Sequence, residues 1–318
     1  MSDITMLEAM SIEELRSELA EREDGNRGLL AASAGESLRN IDDATIIHVL
    51  RGLQRAIYGV DDRKDLWELP RDDPMRLSAD SVAAVFETER IVDNGDGTST
   101  LAVKNFGTSF DLCPEERFRE QPVGAFCTGF LVAPDIIATA GHAVQAREFA
   151  DMSFVFGFEM MDHASSRLVI RNDEIYRWEK VIDHRVIRQG PDWALVRIDR
   201  PVGNHKVLKI RREGKIENGQ AVYVIGHPSG LPKKAAGGAA VRDNEAPAIF
   251  TANTDTYTGN SGSPVFNSLT NEVEGVLARG ETDFVRQGNC RVSLVCPVGT
   301  KCRGEDCTRT TEFASLVP

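Results

Sequence analysis

The chain has 318 residues, of which 41% are hydrophobic and 27% charged. This globular composition excludes disordered, collagenous and membrane-embedded classes and leaves room for a core domain plus an accessory segment. The formal charge of -12 at pH 7, with an isoelectric point near 5.1, makes the surface as a whole repel nucleic acid and anionic membranes.

Residues 1–80 carry 18 acidic against 10 basic side chains, leaving only -4 of the net charge to the remaining 238 residues. Two regions with different surfaces are therefore expected. At the N-terminus, Ser11 and Glu14 form a capping box, and Leu15 with Leu19 gives the apolar stripe of a helix over 11–22. Acidic residues stand where a secretory signal would need a basic start and an unbroken apolar run, so no export signal is read and a cytoplasmic location is expected. Residues 26–37 are rich in Gly, Ala and Ser and read as a connector. A second helix follows, capped by Asp42 or Asp43, with Ile46, Ile47, Val49, Leu50, Leu53 and Ile57 on its apolar face and Gly59 as its stop. His48 on that face reads as a packed histidine. The charged, proline-punctuated run 61–80 reads as a linker. The expected division is a helical regulatory or adaptor segment over 1–70, a linker over 71–80 and one domain over 81–318.

Beyond residue 80 the pattern changes to short strands and turns. Expected strands are Ser81–Phe86, Ala125–Val132, Ile136–Ala140, Ser153–Phe158, Arg167–Ile170, Ala194–Ile198, Ala221–Ile225, Ala248–Ala252, Ser263–Phe266, Val273–Ala278 and Arg291–Val295, with a hairpin turn at Asn94–Gly97. Many short strands with no βα alternation indicate an antiparallel barrel or sandwich. The most apolar stretch, Val123–Val144, contains Pro134, Asp135 and His142 and breaks at Gly129 and Gly141, so it fails as a membrane span.

Six cysteines are too few for a disulfide scaffold, and without an export signal they are expected as thiols. Cys290, Cys296, Cys302 and Cys307 are spaced more widely than the knuckles of most structural zinc sites. Zinc ligands, disulfides in an oxidising compartment and buried thiols all stay open for them, and Cys113 and Cys127 could meet across a hairpin.

Three segments of the β region carry nucleophile chemistry: Thr139-Ala140-Gly141-His142, the strand opening Asp192-Trp193-Ala194, and Gly259-Asn260-Ser261-Gly262-Ser263. A nucleophilic serine needs a base to take its proton and a buried carboxylate to orient that base. The order His, Asp, Ser differs from that of α/β-hydrolases and of subtilisins, and Ser263 replaces the last glycine of a nucleophile elbow.

On these motifs the chain resembles the trypsin-like serine peptidases of the chymotrypsin fold, closest to the bacterial V8 or glutamyl-endopeptidase branch, which shares the string GNSGSPVFN. The resemblance covers about residues 80–318. It implies an all-β fold of two six-stranded antiparallel barrels following the small helical segment, and peptide hydrolysis without cofactor or metal. His142 would be the base, Asp192 its orienting carboxylate and Ser261 the nucleophile, with the N–H groups of Gly259 and Ser261 as the oxyanion hole. Asp255, six residues before the nucleophile, would lie at the base of the specificity pocket and select Arg or Lys, with Thr256, Ala278 and Gly280 lining substrate. Glu281 and Asp283 would add negative charge nearby. His227 is the alternative, through a glutamate-selective pocket. Asn260 stands where animal trypsins keep the aspartate that pairs with a new N-terminal amine, so that form of activation is not expected. Ala143 replaces the cysteine that usually bonds the equivalent of Cys127. The expected partner is a protein or peptide substrate, with a further protein recruited through residues 1–70; nucleic acid and membrane are not expected partners. A second reading makes the chain an inactive protease fold that binds peptides.

Overall fold

The computed structural model describes residues 41, 45, 57, 58, 61–145, 152–279, 283–296 and 304–318. The helix expected over 11–22 lies outside the described residues, as does most of the one expected over 42–59, including His48. Ile57–Tyr58, expected at the end of that second helix, is instead a short strand parallel to Val295–Cys296.

Twelve strands build two barrels. The first uses β1 (Val82–Glu87), β2 (Cys127–Ala133), β3 (Ile136–Thr139), β4 (Met152–Val155), β5 (Ile175–Val186) and β6 (Asp192–Ile198), closed in the order β1-β2-β3-β6-β5-β4. The second uses β7 (Ala221–Gly226), β8 (Lys234–Asp243), β9 (Ile249–Ala252), β10 (Pro264–Asn267), β11 (Val273–Arg279) and β12 (Glu305–Arg309). It closes in the same relative order, β7-β8-β9-β12-β11-β10, through the pairing of β7 with β8. Every pairing in both rings is antiparallel. These are the two barrels of the chymotrypsin fold that the resemblance implies.

Side-chain alternation along the strands explains both the closure and the packing between barrels. On β2, Leu131 points into the first barrel beside Ile137, Phe154 and Val196, whereas Phe130 and Val132 face outward. On β6, Ala194, Val196 and Ile198 fill the barrel, and Trp193 and Leu195 face outward. On β7 of the second barrel, Val222 and Val224 point inward and Tyr223 and Ile225 outward. The outward sets meet in one apolar seam between the barrels, with Phe266, Val276 and Phe313.

Residues 61–80, expected as a linker, are packed on this framework. Arg63–Asp65 adds a strand to Lys234–Ala236 of β8. Leu66, Leu69 and Ala79 enter the seam, and Asp73 caps a helix, α1 (Pro74–Ala79), by accepting from Met75 N at 2.8 Å. The charge pattern concealed this because two of its ionic members, Arg63 and Asp65, are themselves buried and paired. Arg63, 2% exposed, is gripped by Asp61 at 2.8 Å and lies 3.9 Å from the centre of the Tyr257 ring, and Lys234 pairs with Asp65.

The cysteines also differ from expectation. Cys113 is bonded to Cys290 and Cys296 is disulfide-bonded, while Cys127 and Cys307 are buried thiols. Among the described residues no cluster of His, Cys, Asp and Glu is arranged to hold a metal ion, so a zinc site at Cys290, Cys296 and Cys307 is not formed. Cys302 lies outside the described residues. The Cys113–Cys290 bridge ties a first-barrel excursion to the hairpin Phe284–Gln287/Cys290–Ser293, which is also joined to it by Cys113 N donating to Arg291 O at 2.9 Å. No described helix is long and apolar enough to cross a membrane.

An ion triad centred on the buried His205 ring fastens the start of β1. His205 Nε2 lies 2.6 Å from Glu174 and Nδ1 lies 3.0 Å from Asp80, with the ring stacked on Phe156 at 4.4 Å. Burial opposes the charge, yet the two carboxylates outweigh it and push the His205 imidazole up to about 9. A raised histidine pKa contributes stability that is full below the unfolded value near 6.5 and is lost as pH rises through about 9. Urea unfolding should therefore find wild type more stable than His205→Gln by about 1–2 kcal/mol at pH 6, with partial exposure discounted, and the gap should close by pH 10. A gap that persists or widens would show that the imidazolium is not the stabilising form.

Candidate active site

The site is assembled on the seam between the barrels. His142 is the second residue of the helix α2 (Gly141–Gln145), which follows β3 after Ala140, and Asp192 opens β6, which pairs with β3. That pairing brings the two residues together from 50 positions apart. His142 Nδ1 lies 2.8 Å from Asp192 Oδ2, and His142 N donates to Asp192 Oδ1 at 3.0 Å. Both carboxylate oxygens are thus committed to one histidine. Asp192 is 2% exposed and the His142 side chain 44%, so a buried acid orients an imidazole whose far edge can meet a substrate.

Asp192 is also held from the other barrel. Its N–H donates to Thr308 Oγ1 at 2.8 Å, and that hydroxyl donates to Asp192 O at 3.1 Å. Thr308 sits fully buried on β12.

Ser261 lies in the loop before β10. Its carbonyl accepts from Thr128 N at 2.9 Å and from the Cys127 thiol at 2.7 Å, which lays the loop on the start of β2. Gly262, at φ +87°, packs so tightly that a Cβ would stand 2.4 Å from Thr139 Oγ1 and 2.9 Å from Ala140 N. Thr139 and Ala140 lead directly into Gly141 and His142, so the serine loop rests against the segment that carries the histidine. Gly259 adopts φ +98°, and a Cβ there would stand 2.7 Å from His227 O. Both the left-handed backbone and the close approach of the 227–230 turn require glycine. Among the described residues, neither Gly259 N–H nor Ser261 N–H donates a hydrogen bond. Asn260 is buried, and its Oδ1 accepts from Ser263 Oγ at 3.3 Å. It carries no charge that could pair with an amine.

The expected pocket residues are placed differently. Asp255 is 3% exposed, and both its oxygens are used by the chain itself: Oδ1 accepts from Tyr58 N at 2.7 Å and Oδ2 from Asp62 N at 2.8 Å. It therefore holds the Tyr58 and Asp62 amides and is not open to a substrate guanidinium. Burial outweighs these two donors and raises its carboxyl to about 6. Thr256 is 1% exposed, with Oγ1 making no hydrogen bond among the described residues. Ala278 is buried on β11, and Gly280 and Glu281 lie outside the described residues. Asp283 does lie beside the nucleophile loop, accepting from Thr258 N at 2.8 Å, and burial raises it to about 7. His227 is fully buried, with Nδ1 donating to Leu231 O at 2.9 Å. Burial, reinforced by Lys233 and Lys234, holds it well below the usual histidine range. A neutral imidazole enclosed in this way does not line an open pocket for an acidic side chain.

The capping role of Asp255 has a measurable consequence. In Asp255→Asn the amide NH2 would face one of the two backbone donors, leaving that N–H buried and unpaired. We expect a loss of about 1–3 kcal/mol in urea unfolding. An unchanged midpoint would mean that the carboxylate does not hold residues 57–62.

No curated protein sequence matches the chain. Similar solved structures include human heparin binding protein, 14% identical over 81% of this chain and 95% of that one with a TM-score of 0.49. The VesB protease of Vibrio cholerae is 12% identical over 81% and 66%, with a TM-score of 0.47. An inactivated protease paralogue of the scabies mite is 16% identical over 78% and 96%, with a TM-score of 0.45. The family model that matches, over residues 127–276, is the trypsin-like peptidase domain, and its span takes in His142, Asp192 and the Gly259–Ser261 loop.

Proposed function

We propose that the protein is a serine endopeptidase that cleaves peptide bonds through an acyl-enzyme on Ser261. The observation that carries this reading is the pairing of His142 with a buried Asp192 whose two oxygens, among the described residues, serve that histidine alone, beside a serine loop in which the Gly259 and Ser261 amides have no partner among those residues. Asp192 accepts Nδ1–H and so leaves Nε2 as the basic nitrogen. Nε2 takes the Ser261 hydroxyl proton as Oγ attacks the scissile carbonyl, then returns it to the leaving amine. Water repeats the sequence to free the enzyme. The Gly259 and Ser261 N–H groups receive the negative oxygen of each tetrahedral intermediate, and loss of one such donor costs about 3 kcal/mol.

Cleavage after Arg or Lys, the preference that Asp255 suggests, would require residues 58 and 62 to release that carboxylate. The packing instead supports a structural role for Asp255, and Asp283 is the buried acid that accepts from Thr258 N, next to the Gly259–Ser261 loop. The cytoplasmic location expected from the N-terminus also loses the support of reduced cysteines, because the Cys113–Cys290 bridge belongs to oxidising surroundings.

A fluorophosphonate probe should label wild type at Ser261, and Ser261→Ala should abolish labelling and lower turnover of a chromogenic peptide panel by at least about 10⁴-fold with the fold retained. A wild-type chain that neither labels nor turns over any peptide would favour the peptide-binding reading.

A further inference from the structure

Thr128, the second residue of β2, is fully buried and belongs to the opposite barrel from the Gly259–Ser261 loop. Its hydroxyl donates to Gly259 O at 3.0 Å and accepts from His227 N at 3.1 Å, while its backbone N–H donates to Ser261 O at 2.9 Å. Its carbonyl accepts from Thr139 Oγ1 at 2.7 Å, on the strand that leads to His142. We propose that the Thr128 hydroxyl is a positioning group for the oxyanion hole, holding the Gly259–Asn260 peptide from across the barrel seam. The proposal rests on Gly259 and Ser261 being the oxyanion donors.

Gly259 has no side chain to limit its torsions, and at φ +98° its backbone is free to rotate unless partners fix it. The peptide unit between Gly259 and Asn260 lies between the two oxyanion N–H groups in sequence, so its plane sets how those groups converge. Both ends of that plane are pinned: the Gly259 carbonyl by the Thr128 hydroxyl, and Asn260 N–H by Tyr257 O at 2.9 Å. With His227 N–H donating to one lone pair of the hydroxyl oxygen, the hydroxyl proton is turned from that side and is given to Gly259 O. Replacing the hydroxyl by a methyl group would leave a carbonyl and an N–H unpaired where no water reaches, and rotation of the glycine peptide is the available relief. That rotation would turn the donors away from the developing charge while leaving the substrate cleft in place. The effect belongs to the transition state.

The test uses the full chain as wild type, Thr128→Val, Thr128→Ser and Thr128→Ala. It reads the second-order rate of fluorophosphonate labelling, kcat and KM on a chromogenic peptide that wild type cleaves, and the melting temperature. Valine nearly preserves shape and removes only the hydroxyl; serine preserves the hydroxyl and removes the methyl. We expect Thr128→Val to lower labelling rate and kcat by roughly 10–100-fold with KM within about twofold, and Thr128→Ser to stay within about threefold of wild type. If the valine chain does not fold, the serine and alanine pair makes the same comparison, with alanine expected to fall at least about tenfold below serine in kcat. Wild-type rates in the valine chain, serine as impaired as valine or alanine, or a loss confined to KM would each overturn the proposal. A wild-type chain that is not labelled overturns the nucleophile assignment and the proposal with it, whereas a labelled wild type with an unaffected valine chain overturns the proposal alone.

Discussion

The contact between Cys127–Thr128 at the start of β2 and Gly259–Ser261 in the loop before β10 fixes how the proposed reacting groups of the two barrels face one another. A second contact runs the other way, from Thr308 on β12 to the backbone of Asp192. Each barrel therefore grips a chemical element of its neighbour. The energies divide the labour. A single buried hydrogen bond contributes about 1 kcal/mol net. Burial of each large side chain in the seam, such as Phe130, Trp193, Tyr223 or Phe266, contributes about 1.5–3 kcal/mol. Apolar contact holds the barrels together, and the threonine hydrogen bonds set the register in which they meet.

A second set of interactions shapes the ground beside the nucleophile loop. Arg63, Asp61, Asp255 and Tyr257 form a largely buried polar group that anchors Tyr58 and residues 61–65. Asp283 accepts from Thr258 N, and the Cys113–Cys290 bridge fastens the hairpin that follows it to the first barrel across 177 residues. A loop of that length corresponds to about 5 kcal/mol in the chain-entropy account, an upper value. Residues that read as a linker are thus packed against the segment that leads into the serine loop.

Most of the barrel strands were legible because β-branched and aromatic residues recur at period two, as in Cys127–Ala133 and Asp192–Ile198. Three barrel strands were not. Ile175–Val186 carries charged residues through two register shifts that break the alternation. Lys234–Asp243 is built largely from Ala and Gly, which fit a tightly paired strand but lack β propensity. Glu305–Arg309 is polar in sequence yet buried at every position. The His142 and Asp192 pair was legible from strand context and chain order. The role of Asp255 was not, since the chain's own amides satisfy it and those partners lie over 190 positions away. Thr128 and Thr308 gave no signal, because a threonine in a strand is ordinary until its partner across the seam is known.

The most direct measurement is a crystal structure of the chain phosphonylated by a fluorophosphonate. Phosphorus is expected bonded to Ser261 Oγ, with the phosphoryl oxygen about 2.7–3.1 Å from both Gly259 N and Ser261 N and His142 Nε2 facing the adduct. Phosphorus on another residue, or a phosphoryl oxygen turned away from those two amides, would contradict this arrangement.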